Sequence, residues 1–142
     1  MKHAITLAKE AANLGEVPVG CVIVRENELI ASAHNEVEKK GLVSAHAEIL
    51  AIERASEKLK NKYLYGCTMY VTLEPCPMCA SALVWSKIDR IVFGAMDPKA
   101  GACGTLFNLA SSTKLNHRID IIHGILESEC EQLLKDFFQG MR

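Results

Sequence analysis

No run of apolar residues in this chain of 142 approaches the ~20 needed to span a bilayer, so no membrane partner is expected. The opening Met1-Lys2-His3-Ala4-Ile5-Thr6 has neither a long apolar stretch nor an Arg-rich amphipathic pattern. No targeting peptide is therefore expected, and the expected location is cytoplasmic. Excess charge of one sign is missing too: 16 Lys and Arg face 17 Asp and Glu, a formal net charge of −1. Proteins that live on phosphate contacts usually carry a basic excess, so any nucleic-acid surface here must be a local patch. Repeats, low-complexity tracts and dividing linkers are also absent. A single domain over residues 1–142, built on one core, is the expectation.

Cysteine is present but not in the pattern of a disulfide scaffold. Of Cys21, Cys67, Cys76, Cys79, Cys103 and Cys130, only Cys76 and Cys79 are closely spaced. The other four lie singly among apolar or small residues and are expected to be reduced and buried. A hydrophobic content of 49% supplies a core without cross-links. The close pair points instead to metal binding or catalysis.

Hydrophobic spacing sets the expected elements. Ala4, Leu7, Ala8, Ala11 and Leu14 mark a first helix that Gly15 can stop. Val17 to Val24 and Leu29 to Ala33 read as a hairpin, and residues 35 to 44 as irregular chain. A helix is expected from Ala45 to about Lys60 with Ser44 as N-cap, then a strand from Met69 to Leu73. A helix from Cys76 to about Ser86 has Pro77 near its first position, where a missing N–H costs least. Ile88 to Phe93 is a strand and Gly94 to Gly104 a loop. A short helical stretch is expected at Thr105 to Ala110, and a last strand at Ile119 to Ile122. The final helix carries Ser128 and Glu131 as a capping box. Its apolar stripe is Cys130, Leu133, Leu134, Phe137, Phe138 and Met141. This order predicts a three-layer α/β/α domain, a mixed sheet with helices on both faces.

Two short segments carry the chemistry: His46-Ala47-Glu48, and Pro75-Cys76-Pro77-Met78-Cys79 thirty residues after His46. Each opens a predicted helix. A structural zinc site usually has four protein ligands, whereas a catalytic one has three and keeps a position for water. His46, Cys76 and Cys79 make three. In a first helical turn the two sulfurs share one side, and the free N–H groups there favour thiolate. Glu48, two residues from His46, can lie over the site without ligating and carry protons to and from an activated water. Alone, the C-x-x-C pair also fits a thiol redox protein or half of a structural zinc site. Joined as H-x-E with P-C-x-x-C, these residues form the signature of zinc-dependent nucleobase deaminases.

Beyond these motifs the chain resembles the bacterial tRNA-specific adenosine deaminases over almost its whole length. The matching stretches are Gly15 to Gly20, Ala33-His34-Asn35, Ala45 to Glu48, Tyr70 to Cys79 and Phe93-Gly94-Ala95. They continue with Asp97 to Gly104, Leu106, Leu115-Asn116-His117 and Asp136-Phe137-Phe138. The zinc motifs are shared with cytidine, cytosine and guanine deaminases, whereas the Asp97 to Gly104 loop and Leu115-Asn116-His117 look more like the tRNA enzymes. The resemblance implies a cytidine-deaminase-like fold with a five-stranded sheet, a homodimer, and adenosine-to-inosine conversion at wobble position 34 of an arginine tRNA. It implies one Zn2+ per subunit on His46, Cys76 and Cys79, with Glu48 as proton shuttle and the Cys76 N–H steadying the tetrahedral intermediate. Asn35 and the Ala47 N–H would contact the purine. Asp97 and Lys99 would touch the sugar-phosphate of the anticodon stem-loop, with Asn116, His117 and Phe137 nearby.

Each contact residue also has an ordinary reading. Asn35 and Asp97-Pro98 suit turns, Lys99 a solvated surface, and Phe137, Phe138 and Trp85 packing. Competing functions are a free-base or nucleotide deaminase acting on guanine or cytosine, and a non-catalytic RNA-binding subunit.

Overall fold

Strands rich in β-branched and other apolar residues build one sheet, which two helical layers enclose. The computed structural model describes residues 1–141. In chain order the elements are α1 (Lys2–Asn13), β1 (Gly20–Arg25), β2 (Glu28–His34), α2 (Val37–Lys40), α3 (Ala47–Leu59) and β3 (Thr68–Leu73). They continue with α4 (Pro77–Ser86), β4 (Arg90–Ala95), β5 (Asp120–Ile122) and α5 (Glu127–Gly140). Strand order is β2-β1-β3-β4-β5. The first two pairings are antiparallel, with Cys21 opposite Ala33 on one side and Val71 on the other. The last two are parallel.

The two faces pack differently. Helices α1 and α5 touch each other on one face, and α3 and α4 on the other. Under α3 and α4 lies the larger core, around Ile23, Met69, Val71, Leu83, Ile91 and Phe93. Ile5, Ala95 and Cys130 form the smaller core under α1 and α5. Gly94 permits that second contact, because a Cβ there would stand 2.3 Å from the Cys130 Sγ. No helix among the described residues is long and apolar enough to cross a membrane.

The expected hairpin forms, with a tight turn at Glu26-Asn27, both at positive φ, the conformation that a two-residue hairpin loop requires. Four local expectations fail. The third helix starts at Ala47 with His46, not Ser44, as N-cap. Ala45 cannot join it: its N–H donates to Leu42 and its C=O accepts from Glu36. The expected irregular stretch contains α2. No capping box forms at Ser128 and Glu131. Ile125 donates to the Phe93 carbonyl, and the helix begins after Leu126, which has φ 54°. Thr105 to Ala110 is not helical, since Cys103 and Asn108 form an isolated bridge and Thr105 bonds to Glu74. Two side chains also differ from expectation. Leu14 is exposed just past α1, and Trp85 on α4 is 74% exposed rather than packed.

Because β2, β3 and β4 point the same way, their C-terminal ends share one edge of the sheet. Ligands of α/β sheets characteristically bind outside such an edge. Asn35, Cys76 and Asp97 all follow it.

Candidate metal centre and catalytic cleft

The two motifs meet because two helices begin where these strands end. His46 and Cys76 are the N-caps of α3 and α4, both extended, and neither helix has a side-chain cap. The uncapped N–H groups leave the positive ends of both helix dipoles facing one spot. Pro77 takes the first position of α4, as expected, and Cys79 follows within the first turn. The His46 Nδ1 lies 3.6 Å from the Cys76 Sγ and 3.4 Å from the Cys79 Sγ. All three donor atoms fall within 4.8 Å of one another.

These distances fit zinc. With Zn–N of ~2.0–2.1 Å and Zn–S of ~2.3 Å, a tetrahedral angle puts nitrogen and sulfur ~3.6 Å apart. The donor set, one imidazole and two thiols, also suits that borderline-soft ion. Three protein donors leave a fourth position for a reactant.

The protein's own groups are already polarised for this role. Cys76 is held near a pKa of about 4, first by the hydrogen bond from the Cys79 thiol and then by His46. Cys79 is pushed well up by that same bond and by burial. The sulfurs thus share one proton, which a bound dication would displace. The hydrogen bond to Cys76 raises His46. Glu48, 4% exposed in the first turn of α3, is lifted from 4.5 to about 7, chiefly by burial. It stands outside the three-donor group, free to exchange a proton near neutrality.

A cleft of about 620 Å³ opens over the centre, lined by Asn35, His46, Ala47, Glu48, Cys76 and Asp97 among others. Asn35 does double duty: its Oδ1 accepts from the Val37 N–H and its Nδ2 donates to the Val17 carbonyl. One N–H and one lone pair remain for a ligand. Asp97 uses its Oδ1 to close its own turn, accepting from Lys99 and Ala100 N–H groups. Lys99 does not line this cleft; it lies with Asp97 and Lys135 in an adjoining basin. Asn116 sits elsewhere, beside Trp85 and Lys87 on the α4 surface. The His117 Nε2 bonds to the Ile88 carbonyl. Phe137 and Phe138, expected from spacing to be core or interface, join Met141 in the cleft wall.

Two carboxylates with no assigned role in the sequence reading hold this cleft's walls. Glu16 accepts the Glu38 and Lys39 N–H groups at 2.9 and 2.8 Å, fixing α2. Glu74 accepts from Asp97, Cys103 and Thr105 across the opposite wall. Adjacency to Pro75-Cys76, within the family-like stretch Tyr70 to Cys79, was the sequence signal for Glu74. Glu16 lies in the family-like stretch Gly15 to Gly20, within which nothing set it apart.

Known proteins share this outline. The family model described as MafB19-like deaminase matches residues 1–142. The tRNA-specific adenosine deaminase of Bacillus subtilis is 49% identical over 100% of this chain and 88% of its own length. A solved structure from work on A-to-I editing by tRNA:A34 deaminases at the wobble position superposes with a TM-score of 0.91. It shows 40% identity over 94% of this chain and 97% of that one. Guanine deaminase from Bacillus subtilis gives 0.67 and 37%, over 73% of this chain and 67% of that one. The fold is cytidine-deaminase-like.

Proposed function

The chain belongs to the MafB19-like deaminase family, and on that premise we propose that it deaminates adenosine to inosine at wobble position 34 of a tRNA. The observation that carries this is the meeting of His46, Cys76 and Cys79 at two helix N-termini, with Glu48 buried beside them. His46 Nδ1, Cys76 Sγ and Cys79 Sγ would hold one zinc per subunit. Zinc bound there supplies Lewis acidity that brings the pKa of water to roughly 7.

The protein's own groups do the rest. Glu48 takes a proton from the attacking water and delivers it to a ring nitrogen. It then takes the proton of the hydroxyl now on C6, which becomes the carbonyl, and passes it to the departing amine, so that water is consumed and ammonia released. Asn35, with its spare N–H and lone pair, and the Ala47 N–H at the start of α3 hold the purine edge. The Cys76 N–H lies at the other helix start, where an oxyanion gains from the dipole. Asp97 and Lys99, on the rim towards the second basin, meet the sugar-phosphate of the anticodon stem-loop. A base already unstacked in a loop spares the enzyme much of the cost of flipping.

We propose an arginine tRNA as substrate and a cytoplasmic setting, which six free cysteines suit. Residues 1–142 act as one domain. A homodimer would cover the exposed Trp85 face of α4, the kind of apolar surface that marks an interface. The test is incubation of zinc-loaded protein with total bacterial tRNA, read by sequencing for inosine, alongside free guanine and cytosine. Conversion at position 34, lost with zinc retained in Glu48→Ala, is the expected result. Turnover of a free base with every tRNA unchanged overturns it.

A further inference from the structure

The geometry points to Glu74 as the positioning residue that holds the Asp97-to-Thr105 wall of the cleft against the metal ligands. Glu74 is 2% exposed and stands two residues before Cys76. Its N–H donates to the Ala95 carbonyl at 2.9 Å, so its backbone is fixed at the end of β3. One oxygen, Oε1, accepts from the Asp97 N–H at 3.1 Å and from the Thr105 hydroxyl. The other accepts from Cys103 and Thr105 N–H groups at 3.0 and 3.1 Å. Four donors from one loop therefore converge on one side chain.

Other bonds shape the loop as well. Between β4 and β5, Cys103 bridges Asn108, the Leu106 and Phe107 N–H groups donate to the Gly101 carbonyl, and the Ala102 N–H reaches back to the Pro75 carbonyl; the Asp97 N–H is held by Glu74. The space around the carboxylate is full. A Cβ on Gly101 would lie 2.4 Å from the Glu74 Cδ and Oε1, and 2.6 Å from the Asp97 carbonyl. This carboxylate thus ties Asp97 to the strand end two residues before Cys76, beside the backbone bond from Ala102 to Pro75. This bears on the reaction through the proposed contact of Asp97 with RNA, and to that extent rests on that reading.

Glu74→Gln separates positioning from packing, because it keeps the shape. An amide nitrogen in place of Oε2 would face two N–H donors. In place of Oε1 it faces one, and the Thr105 hydroxyl can turn to accept. The second arrangement is favoured, and it releases the Asp97 N–H alone. Gly101→Ala pushes on the same carboxylate from the other side.

The experiment uses the zinc-loaded full chain and both variants, measuring zinc per chain, kcat and KM on an anticodon stem-loop, and hydrogen exchange of peptides. Expected are unchanged zinc, kcat within about twofold, and a KM about tenfold higher, the scale of one lost charge-assisted hydrogen bond. Exchange over residues 97 to 105 should quicken about tenfold while α3 stays unchanged. If Glu74→Gln does not fold, Gly101→Ala carries the same readouts. Unchanged KM and exchange in a folded, zinc-loaded variant overturn the assignment, as does loss of zinc with an unmoved loop. Should the wild type modify no tRNA, the proposed activity fails, and exchange still decides the role of Glu74.

Discussion

Replacing Glu48 with Gln should stabilise the chelated protein at alkaline pH while destroying its activity. Burial opposes the charge on Glu48 and lifts its pKa from 4.5 to about 7. The sign follows from proton counting. Below 4.5 folded and unfolded chains both hold the proton, and Glu48 contributes nothing. Between 4.5 and 7 the folded chain keeps a proton that the unfolded chain has released, so stability falls as pH rises. Above 7 both are ionised and the full cost remains. At about 1.4 kcal/mol per pH unit, that cost is roughly 3 kcal/mol. A glutamine side chain in its place would keep the same shape without that cost.

Comparing the two proteins at each pH largely removes the titration of His46, Cys76 and Cys79, which they share. Chelated wild type and Glu48→Gln should therefore differ by under about 1 kcal/mol in urea unfolding at about pH 5. At about pH 8 the variant should be ahead by roughly 3 kcal/mol, or a melting point up by roughly 10 °C. Loaded with zinc, it should retain metal and turn over no substrate. An equal difference at both pH values, or a variant less stable at the higher one, would refute the idea that this carboxylate is held against its solvation preference for the sake of proton transfer.

Two further outcomes follow from the packing and the donor set. Cys76→Ser and Cys79→Ser should each purify with zinc well below one per chain and melt near the chelated wild type; full zinc occupancy in either excludes that sulfur as a ligand. Gly94→Ala should cost about 2–3 kcal/mol, since the new Cβ meets the Cys130 Sγ at 2.3 Å in a packed core. Adding Cys130→Ala should recover at least about 1 kcal/mol of it in thermal melts, whereas strictly additive losses would show that the sulfur is not the obstacle.

What could be read from the chain divides by the range of the interactions concerned. The three donors that could hold a metal were legible as a group because each lies within a short motif whose helix-start geometry is local. His46 and Glu48 are two residues apart, Cys76 and Cys79 three, and only the meeting of the two pairs is long-range. The sheet and its helical layers were legible from periodicity for the same reason. The cleft walls were not. Glu74 acts on residues 23 to 31 positions later, and Glu16 on residues 22 and 23 positions later. Both are single charged residues that any surface turn could carry. Ser44 and Ser128 failed for a related cause: each is a competent cap in isolation, but Ala45 is held by Leu42 and Glu36 and Ile125 by Phe93, bonds that decide where the helix starts.

The C-terminal helix shows why spacing identifies a stripe without identifying its burial. Cys130, Leu133, Leu134, Phe137, Phe138 and Met141 fall on one side of α5, as their period requires. What lies opposite changes along the helix. Cys130 faces Gly94 on β4 and is buried. Leu133 and Leu134, a turn later, are partly buried against the small core of Ile5, Ala95 and Cys130. By Phe137, Phe138 and Met141 the helix has reached the cleft, and the same stripe becomes its wall. Burial of a helical residue is set jointly by its own period and by the extent of the sheet beneath it, and a sequence supplies only the first directly. Aromatics that continue a core stripe past the end of a parallel sheet are therefore candidates for ligand contact, because the strand ends beneath them are where ligands enter.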